Sequence, residues 1–402
     1  MNDVVYWLWL STSPRIGPRA VTALLTHYGS PEKMFFAPVG EITRLLPYNI
    51  DGAEELERRD LDGAKRILDK CDDTGIDIIT IDEPEYPERL RNIHLPPAII
   101  YVKGKLRDID NEPAVAVIGT RKASPYGMKM GMRMGYEIAK CGGTVISGLT
   151  AGIDSAAAEG ALKAGGRVIG VLGVPHEKDR GRFSRDIAMN GAIVSEYAPG
   201  TKPYSSFFRA RNRITSGLSL GTVVIEAPLK SGTRLFVNEA ADQGKEIFAV
   251  PGNADLANCE GTNQLIKEGA KPVTTGWEVM SEFQAFYPDK LHDVAFPPTD
   301  GVLPTPVSEP KKSTESKKPA KKTVDKAPAA AYIDLQKQLD GLSPSQLKII
   351  GAMEENSVQV DTIIERSGLQ PAKVLADLTM LQIKGFVRQE SGKRFALNIK
   401  TK

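Results

Sequence analysis

Cysteine is scarce in this chain, and what there is cannot pair. Cys71, Cys141 and Cys259 are odd in number, far apart and without a C-x-x-C spacing. That excludes a disulfide framework and fits buried thiols in a reducing compartment. Histidine is nearly as rare: His27, His94, His176 and His292 share no metal-ligand spacing, so no metal is expected. Excess charge is missing too, since 52 Lys and Arg against 50 Asp and Glu leave a net +2. Any electrostatic site must therefore come from clustering. No apolar run approaches a membrane span, and residues 1–10 carry Asp3 without a basic flank, so no secretory signal is expected. These absences predict a cytoplasmic protein with no membrane partner. Its 402 residues leave room for two to four domains.

What is present centres on residues 115–251. Ala114-Val-Ala-Val-Ile118 is short, apolar and β-branched, the pattern of a buried strand. It ends in Gly119-Thr120-Arg121-Lys122, and a helical pattern runs from Pro125 to about Cys141. A strand that feeds a helix through Gly is an anion cradle, because free N–H groups and the helix dipole face the turn. A dinucleotide site would need G-x-G-x-x-G there and an acid about 20 residues on. Only Gly119 and Gly127 fit, and the next strand ends in Ser147-Gly148, so no cofactor is expected. Arg121 stands in the turn instead, offering a fork of donors to phosphate oxygens.

Alternation sets the fold class. Candidate strands at 115–119, 144–147, 167–172, 192–195, 222–226, 246–250 and 272–275 are separated by helical patterns. This predicts an α/β fold with an extended Rossmann-like, doubly wound, mostly parallel sheet over 81–290. Pro84, Pro87, Pro96 and Pro97 forbid a long helix before Ala98–Val102, which reads as an edge strand. Residues 1–80 read as helices, a domain of SAM or helix-hairpin-helix type. Its Ile16-Gly17-Pro18-Arg19 hairpin suits either a phosphate backbone or plain packing.

Three loops reach the carboxyl rim, where ligands of such sheets bind. Gly148–Ser155 opens an Ala-rich helix; Asp154 or Ser155 suits an N-cap, and each is also a candidate catalytic group. The run Lys202–Arg213 joins cations (Lys202, Arg209, Arg211, Arg213) to Phe207, Phe208 and Asn212. Cations along a backbone and rings under bases are what a single-stranded nucleic-acid site needs, with one of the two phenylalanines left for the core. The turn Lys230-Ser231-Gly232-Thr233 resembles an anion nest. Glu226 before it offers a competing reading, the carboxylate of a nucleotide-sugar (nucleoside monophosphate) hydrolase.

Residues 291–335 are rich in Pro, Ser, Thr, Ala and paired Lys, a disordered basic linker. Residues 336–402 read as a winged helix: helices over Pro344–Glu355, Val360–Ser367 and Pro371–Lys384, then a hairpin around Ser391-Gly392. The exposed face of its third helix offers Gln370, Lys373, Asp377, Thr379 and Gln382, which suits DNA or protein contact.

Seven segments in order carry a resemblance: Val117-Ile-Gly-Thr-Arg121 with Pro125-Tyr-Gly127, Ser147–Asp154, Ser195-Glu196-Tyr197, Arg211-Asn212-Arg213-Ile214, Ser231-Gly232, Ala249-Val-Pro-Gly252 and Gly261-Thr-Asn263. With them the chain resembles the DprA/Smf family of natural transformation along nearly its whole length. The resemblance implies a homodimer without catalytic residues that binds single-stranded DNA. It also implies loading of RecA recombinase onto DNA coated by single-strand binding protein. It places the phosphate-binding Gly-Ser/Thr-Arg on Gly119, Thr120 and Arg121, and the base-stacking ring on Phe208. Three positions depart from the family pattern. Arg209 replaces a Pro, Ser205 stands where a Lys is common, and Ala157-Ala158 replaces Ala-His. The expected DNA contacts are Gly119, Thr120, Arg121, Lys122, Lys202, Phe208, Arg209, Arg211, Asn212, Arg213, Ser231 and Gly232.

Overall fold

The β-branched runs do form strands, and the stretches between them supply the helices that cover both faces. The computed structural model describes residues 3–294 apart from 107 and 182, and 343–397 apart from 354–357, 384–385 and 391–393. Helices α1 (Val4–Thr12), α2 (Pro18–Tyr28), α3 (Pro31–Phe35), α4 (Glu41–Leu45), α5 (Ile50–Glu57) and α6 (Asp62–Thr74) come first. Then follow β1 (Asp77–Thr80), α7 (Glu88–Arg91), β2 (Ile99–Gly104), β3 (Ala114–Ile118), α8 (Pro125–Lys140), β4 (Thr144–Ser147) and α9 (Ile153–Lys163). After these come β5 (Val168–Leu172), α10 (Ser184–Asn190), β6 (Ala192–Ser195), α11 (Ser205–Gly217), β7 (Gly221–Val224) and α12 (Gly232–Asp242). The unit closes with β8 (Glu246–Ala249), α13 (Ala257–Lys267), β9 (Lys271–Pro272) and α14 (Gly276–Met280).

The nine strands join in the order β1-β2-β6-β5-β4-β3-β7-β8-β9. Pairing is parallel from β6 through to β9, while β2 runs antiparallel to β6 and β1 antiparallel to β2. This is the doubly wound, mostly parallel sheet that the alternation implied. Side chains along β3 alternate between two cores. Ala114, Ala116 and Ile118 meet α11 and α12 through Ile214, Phe236 and Val237. Val115 and Val117 meet α8, α9 and α14 through Met134, Ala157 and Val279. A third core joins the N-terminal helices to Ile99 and Tyr101 of β2. Residues 77–80, read as part of a helical region, form β1 instead. Gly75 ends α6 in the left-handed conformation, and Ile78-Ile79 is too short a run to show a period. As a result β2 is not the edge strand; β1 covers it.

Of the expected linker, Leu291 is buried against the sheet and the His292 N–H donates to the Cys141 carbonyl at 3.2 Å. From residue 295 the linker lies outside the described residues. A second compact unit holds α15 (Pro344–Gly351), β10 (Val358–Gln359), α16 (Val360–Ser367), α17 (Pro371–Ile383), β11 (Val387–Glu390) and β12 (Arg394–Leu397). It is a winged helix with sheet order β10-β12-β11 and a core of Ile349, Ile363, Val374, Leu378 and Leu381. The Ser391-Gly392 turn lies outside the described residues. Asp377, expected on the exposed face of α17, is buried at 5% exposure, with the Lys373 ammonium over it at 3.3 Å. Among the described residues no helix is long and apolar enough to cross a membrane.

The α8–α9 pair packs backbone to backbone. A Cβ on Gly160 would run into the Met132 carbonyl, and one on Gly135 into the Ala157 carbonyl. Helix propensity alone would make Gly160→Ala stabilising by ~1 kcal/mol. Overpacking between the two helices reverses the sign, and urea unfolding should show a loss of roughly 1–3 kcal/mol.

Candidate nucleic-acid interface

The order of the sheet makes a crevice before any side chain is placed. From β3 the chain steps through β4, β5 and β6 to one side; from β7 it steps through β8 and β9 to the other. The loops after adjacent β3 and β7 therefore diverge at their carboxyl ends, the usual ligand position of open α/β sheets. A cavity of about 490 Å³ lies there. Gly119, Thr120, Arg121 and Lys122 line it from the β3 loop, Phe208, Arg209, Arg211 and Asn212 from α11, and Ser231 and Gly232 from the start of α12. Ten of the twelve expected contact residues thus converge on one cavity. Lys202 and Arg213 do not line it. Thr150 and Thr233 do, although neither was among the expected DNA contacts. Thr233 belonged to the Lys230–Thr233 turn read as an anion nest and lies in the first turn of α12, and Thr150 lies in the loop after β4.

Exposed and buried cations differ in kind. Arg121, Lys122, Arg209 and Lys230 are exposed, and their side chains make no hydrogen bond or ion pair among the described residues. Arg213 was expected on the same groove but turns away. Its guanidinium grips Glu196 at 2.5 and 2.9 Å and donates to the Leu95 carbonyl at 2.9 Å. Glu196 and the Leu95 carbonyl thus hold Arg213 on the side of α11 away from the cavity. Arg211 takes the cavity side. It is 5% exposed, and Gly148 makes room for it, because a Cβ there would collide with the guanidinium. The guanidinium makes one long hydrogen bond, to the Val171 carbonyl at 3.4 Å, and its Nε is buried without a partner among the described residues. Burial pulls the Arg211 pKa down, against the nearby carboxylate of Asp154.

Asp154 and Ser155 are not caps: Gly152 occupies the N-cap of α9. Asp154 instead accepts from Thr150 Oγ1 at 3.0 Å, within the β4 loop, with the Gly119 and Thr150 backbone N–H groups nearby favouring its charged form. Burial pushes its carboxyl pKa up, with Arg211 opposing. Ser155 Oγ donates to the Thr150 carbonyl at 2.7 Å.

The two helix N-termini at the crevice differ as well. The amino end of α8, expected as the anion cradle, is already filled by the Glu226 carboxylate. The Ser124 N–H donates to it at 2.9 Å and Ser124 Oγ at 2.5 Å. Glu226 is 1% exposed, so it offers no open face to a nucleotide sugar. At α12 the N-cap Ser231 makes no side-chain cap bond, and its Oγ is buried without a partner. The rings divide similarly. Phe207 stacks on Tyr197 at 3.8 Å and 10°, whereas Phe208 lies by Gly173 with 48% of its surface exposed. Among the described residues no group of His, Cys, Asp and Glu could hold a metal.

The model of the DNA recombination-mediator protein A family matches residues 77–284, and that of the DprA winged helix domain matches 334–393. Protein Smf of Synechocystis is 28% identical over 407 residues, covering 98% of each chain. DNA processing protein DprA of Streptococcus pneumoniae is 38% identical over 205 residues, covering 50% of this chain and 71% of the relative. The X-ray structure of DprA from S. pneumoniae matches with a TM-score of 0.61 at 30% identity, covering 70% of this chain and 98% of that one.

The division of arginines predicts stability effects of very different size. Arg213→Ala strands the Glu196 carboxylate and should cost about 3–5 kcal/mol in denaturant unfolding. Arg121→Ala removes an exposed, unpaired cation and should change stability by less than about 0.5 kcal/mol.

Proposed function

The chain belongs to the DNA recombination-mediator protein A family, and from that premise we propose that it binds single-stranded DNA along the crevice and passes it to RecA. One observation carries this reading. A single cavity combines unpaired cations on the β3 loop and on α11, an exposed ring, and a buried guanidinium whose Nε is unpartnered among the described residues. Arg121, Lys122 and Arg209 hold phosphates at the rim, and exposed Lys202 and Lys230 extend the track to either side. Arg211, Ser231 and the first turn of α12 at Gly232 take the deepest phosphate. Phe208 stacks on a base, and Asn212 beside it meets a base or sugar edge. Gly119 and Thr120 shape the turn that carries Arg121. Arg213 does not touch the strand in this reading; it serves as a strut behind α11.

The protein acts in this reading as a non-enzymatic mediator in the cytoplasm. It protects an incoming strand during natural transformation and loads RecA onto DNA coated by single-strand binding protein. A homodimer, which the family resemblance implies, would set two crevices in one particle.

Titration of a fluorescent single-stranded oligonucleotide tests the reading. Arg121→Ala should weaken binding and lower the slope of log K against log salt by ~0.7 for each phosphate left without its cation. Phe208→Ala should cost ~1–3 kcal/mol with the slope unchanged, because stacking releases no counterions. Unaltered affinity in both variants rejects the interface. In the presence of single-strand binding protein, DNA-dependent ATP hydrolysis by RecA should rise on addition of the protein and not of Arg121→Ala.

A further inference from the structure

We propose that Glu226 is an internal anion. Its carboxylate occupies the phosphate position at the amino end of α8 and holds the Arg121 loop in place for DNA. In doubly wound folds the first crossover helix aims its free N–H groups at a ligand phosphate. Here the acceptor belongs to the protein. Beyond the two bonds from Ser124, Asn258 Nδ2 donates to Glu226 Oε2 at 3.3 Å. Gly127, in the first turn of α8, lies so close that any Cβ there would collide with this carboxylate.

The same residue, through its backbone, and its partner Asn258 also hold the loop. The Thr120 N–H donates to the Glu226 carbonyl at 2.8 Å. Asn258 Nδ2 also donates to the Lys122 carbonyl at 3.2 Å. Arg121 and Lys122 thus hang between ties at 120, 122 and 124, all leading back to Glu226 or to its partner Asn258. A nucleotide phosphate is excluded from α8, since its place and the positive end of the dipole are taken. A strand is left with α12 and the rim cations. Glu226 is therefore a positioning residue, and only the effect on DNA rests on the reading given above.

Glu226→Ala should open a hole the size of a carboxylate. Oligonucleotide affinity should fall about tenfold, the scale of losing a charge-assisted bond. Acetate should then restore it relative to chloride at equal ionic strength, opposite in sign to the ordinary weakening by added salt. Acetate should also raise the melting temperature of Glu226→Ala and not that of the wild type. If acetate and chloride act alike on both readouts, the internal anion is refuted. If the wild type binds no oligonucleotide while the acetate effect on melting persists, the DNA reading fails and the anion site stands. Should Glu226→Ala not fold, Asn258→Ala cuts the tie to Lys122. A several-fold affinity loss at unchanged melting temperature, not rescued by acetate, supports positioning, and an unchanged affinity overturns it.

Discussion

The carboxylate of Glu226 is shut away from water, and Ser124 and Asn258 replace the solvent with hydrogen bonds from inside the protein. An unpaired carboxylate in such a place would cost several kcal/mol. The positive end of α8, roughly half an elementary charge, offsets that cost. The path of residues 119–125 depends on this arrangement, and the placement of Arg121 depends on the path. The fold supplies the gap between β3 and β7; the buried acid decides what faces it.

Magnitudes separate the two tiers of cations. A phosphate near an exposed Arg121, Lys122, Arg209 or Lys230 gains on the order of 1 kcal/mol, screened within about 10 Å by ordinary salt. Interactions of that size hold any sequence and release quickly, which fits the proposed passing of a strand to RecA. Arg211 is different because its desolvation is already in place before ligand arrives. Its guanidinium sits over Gly148 with Nε unpartnered. A phosphate there would satisfy donors that the protein leaves idle, in a medium where charges interact more strongly than in water.

Much of the fold was legible because the parallel strands are buried on both faces and read as unbroken apolar runs. Strand order was not legible, since nothing in the runs themselves says that β7 pairs with β3. β1 was missed because four residues show no period. The site was legible in its cations and in Phe208, whose spacing along one segment marks a face. It was misread where a residue's type fits two tasks. Arg213 carries the same guanidinium as Arg211, and only the turn of α11 sends it to Glu196. Ser124 before Pro125 is an ordinary N-cap signal, and the structure uses it, since Ser124 Oγ accepts from the Gly127 N–H at 3.0 Å. No pattern in the sequence shows that a carboxylate 102 residues away closes the same turn.

Bond-breaking would need an acid or base with an open face within reach of a substrate. Three carboxylates beside the crevice, Asp154, Glu196 and Glu226, are turned inward as fasteners, while Glu177 and Asp255 on other loops of this edge stay exposed. Asp154 braces the β4 loop through Thr150, Glu196 anchors α11 through Arg213, and Glu226 secures the start of α8. Of the cations on these segments, Arg121, Lys122 and Arg209 keep their heads in solvent, while Arg211 and Arg213 are buried. Beside the crevice these three acids and Arg213 are committed to structure, while Arg121, Lys122 and Arg209 are left unpaired among the described residues. In the proposed reading, that arrangement suits the crevice to gripping a polyanion. It also makes the grip depend on the acids, because each cation that faces the cavity is carried on a segment that a buried carboxylate holds.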